Sequence, residues 1–216
     1  MEINHKNIII ETEKYVSELF ASNTNGHDYA HTLRVRNIAI KIAKTEISCI
    51  LFIVEMAALL HDADDWKLNG NTKTENAKIW LLKNNIDENT INIICEIIDN
   101  LSFKGANVKE KELSIEGKIV QDADRIDAIG AIGIARAFAY GGSKNRALYN
   151  PESKNVFHNS FDEYKNSEGS TINHFYEKLL LLKDRINTKK GKQIAEERHE
   201  FMVNYLNQFF NEWNFK

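Results

Sequence analysis

An apolar run ending in His61-Asp62 constrains this chain more than any other feature. From Ile50 to Leu60 every residue is apolar except Glu55. A stretch of that length and hydropathy belongs inside a fold, and its extent favours a helix over a strand despite the β-branched residues near its start. The pair that follows is therefore delivered to an apolar interior. There a carboxylate or an imidazole is costly unless an opposite charge or a metal receives it. His31, in the segment Gly26-His27-Asp28-Tyr29-Ala30-His31, and an acidic cluster of Asp122, Asp124 and Asp127 supply further ligand types. Two histidines and two carboxylates suit a six-coordinate divalent ion better than tetrahedral structural zinc, which prefers thiolates.

The apolar spacing is helical almost throughout. Ile9, Val16, Leu19 and Phe20 mark a helix over about 8–21. Val35, Ile38, Ala39 and Ile42 mark a second from about Asp28 to Lys44, and His31, four residues before Val35, projects from the same inward face. Residues 48–61 form the buried helix. Thr72 and Glu75 have capping-box spacing before Ala77, Ile79 and Leu81, and Asp87 can cap a helix carrying Ile91, Ile94 and Ile98. Ser114 can cap a helix in which Val120, Asp124, Ala128 and Ala131 face inward at successive turns. Gly130 and Gly133 inside it imply close packing or a break, and Gly141-Gly142 end it. The pattern fades over 143–169, which reads as an active-site lid or a surface connection. One helix then begins near Ser170 with Phe175, Leu179, Leu182 and Ile186. Another, from about Thr188, carries Ile194, Phe201, Met202, Tyr205, Leu206, Phe209 and Trp213. The expectation is an all-α, single-domain helical bundle over 1–216, with a metal-site core at about 25–140 and C-terminal helices at about 170–214.

The 216 residues suffice for one domain with a substantial core. A net charge of −3 argues against stable nucleic-acid binding, which usually needs a basic face. No signal peptide or membrane span is read, and Cys49 and Cys95, in apolar helical contexts without a CxxC pattern, read as reduced core thiols. A cytoplasmic location is expected. The aromatic-rich last helix would suit a homodimer.

The order His31, His61-Asp62, Asp124 resembles the HD-domain superfamily of metal-dependent phosphohydrolases. The likeness is closer to a bacterial subgroup of small single-domain members. It runs through Leu101-Ser102-Phe103-Lys104-Gly105, through the stretch from Gln121 to Gly133, and through the stretch from Asn173 to Leu179. The spacing leaves Asp124 and Asp127 both able to face a site while Asp122 points away. The resemblance implies Asp124 as the ligand, because the family places its aspartate in an Ala-Asp-Arg-like step. Asp127 then stands behind the ligands, orienting a histidine or a water, or pairs with Arg125 or another basic residue.

The metal set is thus His31, His61, Asp62 and Asp124, holding one divalent ion, with manganese, iron, cobalt, nickel and magnesium all plausible. Two positions of an octahedral shell would remain for water or phosphate oxygen. Asp62 and Asp65 form the catalytic pair. Asp65, three residues past Asp62, is the expected proton acceptor, with Asp64 and Asp127 as alternatives. Its position resembles the acid following the His-Asp pair in alarmone-hydrolysing relatives, although those carry a further acid where this chain has Trp66. Arg34, Lys104, Arg125 and Lys178 are candidate phosphate partners, and His27 a rim contact to substrate. The implied function is hydrolysis of a nucleotide-like phosphate or pyrophosphate ester, foremost as a nucleoside triphosphate pyrophosphatase. Nucleoside monophosphate or alarmone hydrolysis and a catalytically silent metal or nucleotide sensor are the alternatives.

Overall fold

The computed structural model describes residues 5–21, 28–64, 75–103, 105–153, 160, 163 and 169–216. Among them are nine α-helices, one 3-10 helix and no strand, so the chain is all-α. In chain order the helices are α1 (His5–Leu19), α2 (Tyr29–Ala43), α3 (Leu51–Leu60), α4 (Glu75–Lys83), α5 (Glu88–Asp99), α6 (Ile115–Asp127), α7 (Gly130–Ser143), α8 (Thr171–Glu177) and α9 (Lys189–Trp213). The 3-10 helix, Leu179–Arg185, lies between α8 and α9. The chain divides into two compact units, Met1–Ser102 with Lys111–Asp124 and Phe103–Glu110 with Arg125–Lys216. No helix of the described residues is long and apolar enough to cross a membrane.

The first unit is built around α3. Every residue from Phe52 to Leu60 is buried, and α1, α2 and α5 pack against it. Val35, Ala39 and Ile42 of α2 are completely buried, as the spacing required. Glu55, the one charge in the apolar run, is buried against the Arg36 guanidinium of α2 at 2.5 Å. The same guanidinium also pairs with Glu13 of α1. One arginine thus ties three helices and answers the burial cost of Glu55. Trp80 of α4 donates its indole N–H to Thr12 Oγ1 at 2.8 Å and stacks on Tyr15 at 4.1 Å.

Caps largely follow the sequence. Asp87 accepts from the Thr90 amide at 3.0 Å, and hydrogen bonding by the Thr90 side chain and then its amide holds the carboxyl below the usual carboxylate range. Ser114 Oγ accepts from the Gly117 amide at 3.2 Å to start α6, and Thr188 Oγ1 accepts from the Gly191 amide at 3.0 Å to start α9. Thr72, the expected cap of α4, lies outside the described residues. So do 154–159, 161–162 and 164–168 of the stretch 143–169. Helix α3 starts at Leu51 rather than near 48, leaving Cys49 outside it and Ile47 and Ile50 exposed. The reason is an anchor: the Ile50 amide donates to Glu116 of α6 at 3.0 Å, fixing the chain in an extended conformation there. Burial and the nearby Glu116 carboxylate push the half-buried Cys49 thiol up.

In the second unit two expected helical stretches are broken, the first where Gly130 and Gly133 had left close packing or a break open. The stretch from Ser114 to Gly141 divides at Ala128-Ile129, where Ile129 is extended and Gly130 opens α7 at φ +79°. Ala131 is consequently exposed rather than inward. A Cβ on Gly130 would stand 2.9 Å from Arg198 Cγ of α9, so the glycine serves both conformation and close approach. The helix begun at Ser170 likewise stops at Lys178, whose φ of −140° is not helical, and resumes as the 3-10 turn. Residues three apart eclipse in a 3-10 helix, which puts Leu179 and Leu182 on one buried face. Tyr205, Phe209 and Trp213 of α9 join Tyr149, Phe138 and Phe175 in an aromatic cluster.

Gly130→Ala is expected to destabilise the protein by about 1–3 kcal/mol, the usual cost of holding a non-glycine residue in such a conformation. Urea unfolding checks this, and Gly142→Ala, where no atom of the described residues lies within 4 Å of an added Cβ, is the matched control.

Candidate metal centre

His31, His61, Asp62 and Asp124 come together within the first unit. His31 is the third residue of α2 and is completely buried. His61 and Asp62 follow α3 directly, and Asp124 lies near the end of α6. The His31 and His61 Nε2 atoms are 3.2 Å apart. Asp62 Oδ2 is 3.4 Å from each of them. Asp124 Oδ1 lies 3.5 Å from His31 Nε2 and 4.0 Å from His61 Nε2. Asp124 is the most open of the four, its side chain 32% exposed, which leaves a path from solvent to the cluster.

The local structure aims these donors. The imidazole of His61 turns back on its own helix, its Nδ1 bonded to the Ala58 carbonyl at 2.8 Å. That carbonyl is among the last four of α3, which lack helical partners. With Nδ1–H donating there, Nε2 presents a lone pair to the cluster. The backbone amide of His31 donates to the Asp28 carboxylate at 2.7 Å, which sets the first turn of α2.

Two imidazole nitrogens and two carboxylate oxygens facing one another would repel through their lone pairs, unless protons or a cation lay between them. Metal–ligand bonds of about 2.0–2.2 Å place adjacent donors about 3.0–3.4 Å apart. His31, His61 and Asp62 therefore fit a divalent cation in both chemistry and spacing, and Asp124, 3.5 and 4.0 Å from the imidazole nitrogens, stands at the margin of the set. The set contains no thiolate, which speaks against a structural zinc site.

The sequence matches the HD domain family over residues 28–129. YpgQ of Bacillus subtilis is 39% identical over 197 residues, covering 90% of this chain and 88% of that protein. The chain belongs to the HD domain family. Solved structures agree. YpgQ in complex with ADP superposes with a TM-score of 0.76 at 35% identity, covering 96% of each chain. An HD-superfamily hydrolase from Bacillus thuringiensis has a TM-score of 0.75 at 39% identity, covering 99% of this chain and all of that one. A Lactobacillus plantarum protein has a TM-score of 0.87 at 34% identity, covering 98% and 99%. The fold and the hydrolase class of this HD domain protein follow from these likenesses.

The remaining candidates have separate placements. Asp64 accepts from the amides of Asn76 and Ala77 at 2.8 and 3.0 Å, so its carboxylate caps α4. Asp122 is completely buried, and Asp127 pairs with Arg136 at 2.8 Å in the second unit rather than with Arg125. Arg125 is buried with Glu110 at 2.7 Å and the Arg185 carbonyl as partners, so its guanidinium is engaged in structural bonds. Lys178 lies over the Phe103 ring at 5.6 Å, and Arg185 over the same ring at 4.9 Å. Arg34 is half-buried on α2. His27, Asp65 and Lys104 lie outside the described residues. The sequence reading passed over Asp28, although an aspartate three residues before His31 is an ordinary N-cap signal.

Asp124→Ala should weaken divalent-cation binding by more than about 100-fold, the upper end for removing a group behind the ligands. His61→Ala with Asp62→Ala should abolish it. Asp64→Ala should leave metal content intact and cost about 1 kcal/mol of stability through the lost cap. Metal analysis after dialysis, run beside urea unfolding, separates the three outcomes.

Proposed function

We propose that this chain is a metal-dependent phosphohydrolase whose substrate is a nucleoside triphosphate, cleaved to the monophosphate and pyrophosphate. The observation that carries the reading is the convergence of His31, His61, Asp62 and Asp124 on one partly open point. A similar protein, YpgQ, has been crystallised with ADP, which favours a nucleotide. One divalent cation, held by these four residues, would supply charge neutralisation on the phosphoryl group and a lowered pKa for water.

The chain's own residues do the rest. Asp62 and Asp124 bring negative charge that retains the cation, and the two imidazoles add neutral donors. Asp65 accepts the proton as water attacks phosphorus and the phosphoanhydride bond breaks, releasing pyrophosphate. It follows Asp64, whose carboxylate is committed to the amides of Asn76 and Ala77. That engagement favours Asp65 over Asp64 as the base. Arg34, one turn from His31, is the phosphate partner best supported by its place on α2. Lys104, Lys178 and His27 are further candidates. Arg125 is the weakest, because Glu110 and the Arg185 carbonyl already hold it.

The test is an assay with manganese over nucleoside triphosphates, nucleoside monophosphates, alarmones and generic phosphodiesters. Release of pyrophosphate and monophosphate from a triphosphate is expected. Orthophosphate from monophosphates alone would assign the other enzymatic reading, and nucleotide binding with no turnover would make the chain a sensor. Asp65→Asn should retain the metal while turnover falls about 10²–10⁴-fold, the usual worth of acid–base assistance. Loss of metal in that variant, or wild-type turnover, would remove Asp65 from the role.

A further inference from the structure

The four donors are held in place by different means. His61 and Asp62 follow a helix whose last nine residues are all buried. Asp124 lies in the last turn of α6, where backbone amides, unlike those of a first turn, have helical partners, and next to the fully buried Ala123. His31 is the exception, in the first turn of α2. First turns fray because their amides have no helical partners, and local opening there costs little free energy. A small change in that backbone swings Nε2, the far atom of the ring, away from the other donors.

Asp28 acts on this turn twice. It adopts an extended conformation at φ −112°, ψ 171°, and its carboxylate accepts from the His31 amide at 2.7 Å. Its carbonyl accepts from the Thr32 amide at 3.2 Å, the first helical bond of α2. We propose that Asp28 is a positioning residue of the metal centre, holding the His31 imidazole in its binding geometry by capping the turn that carries it. The inference rests on the metal-centre reading above. It goes beyond that reading by assigning part of the centre's affinity to a side chain that acts through the His31 backbone.

Capping and charge make opposite forecasts for one substitution. Asparagine caps as well as aspartate and carries no charge, whereas alanine does neither. Manganese affinity by titration calorimetry and amide exchange along α2 are measured on the wild type, Asp28→Ala and Asp28→Asn. In Asp28→Ala, affinity should fall about fivefold, as expected when a cap of typical strength is lost and the competent state is less populated. Exchange at the His31 and Thr32 amides should quicken by a similar factor. Asp28→Asn should restore both to within about twofold. If Asp28→Asn binds manganese as poorly as Asp28→Ala, the carboxylate acts through its charge and the proposal is overturned. It is overturned equally if Asp28→Ala keeps wild-type affinity, whatever the exchange shows. A wild-type protein that takes up no manganese, magnesium, cobalt or nickel would instead overturn the metal-centre reading, and is recognised by failing before any substitution is compared.

Discussion

The first unit depends on burying α3. Its nine buried residues supply the apolar surface on which α1, α2 and α5 pack, and they carry His61 and Asp62 inward at its end. Burial at about 25 cal/mol per Å² makes such a helix an energetic anchor. The same burial makes the polar groups at its end expensive unless they are matched. Glu55 is matched by Arg36 and His61 Nδ1 by the Ala58 carbonyl, while the inward donors of His31, His61 and Asp62 form a set that could hold a cation.

Precision at the cluster then becomes a matter of fixing helices. The Glu13–Arg36–Glu55 contact sets α2 against α3 within two turns of His31, and Asp28 fixes the end of α2 from which His31 projects. Asp64 does for α4 what Asp28 does for α2. In this unit carboxylates therefore serve three purposes: pairing with an arginine, capping a helix and offering metal-ligand oxygens. Which purpose each serves depends on the amide, cation or imidazole that the fold brings to it.

The second unit shows how poorly a cationic side chain announces its role. Arg125 adjoins a candidate ligand in sequence, and an arginine beside a metal site invites assignment to phosphate. Its guanidinium is instead buried with Glu110 and a carbonyl, where an unpaired charge would be costly. Asp127 is similarly committed to Arg136. Both are residues whose neighbours in space lie many positions away in the chain.

Local patterns alone determined a good deal. The 3.6-residue spacing settled the all-α class, because one face of each helix must leave water. The caps at Asp87 and Ser114, and the helix starts near Ser170 and Thr188, were legible because an N-cap and the amides it serves lie within three residues. The inward face of His31 followed from its distance to Val35. A break was legible as one of two readings of Gly130 and Gly133, but its place at Ile129-Gly130 and the 3-10 turn after Lys178 were not. They are set by Arg198 packed on Gly130 and by the need to bury Leu179 and Leu182 together. Only the tertiary structure decided that Asp64 caps α4, that Arg125 is held by Glu110, and that four donors, two on α2 and α6 and two just past the end of α3, stand within 4.0 Å of a neighbour. Those are non-local facts: a side chain's chemistry is written in the sequence, but its partner is chosen by the packing.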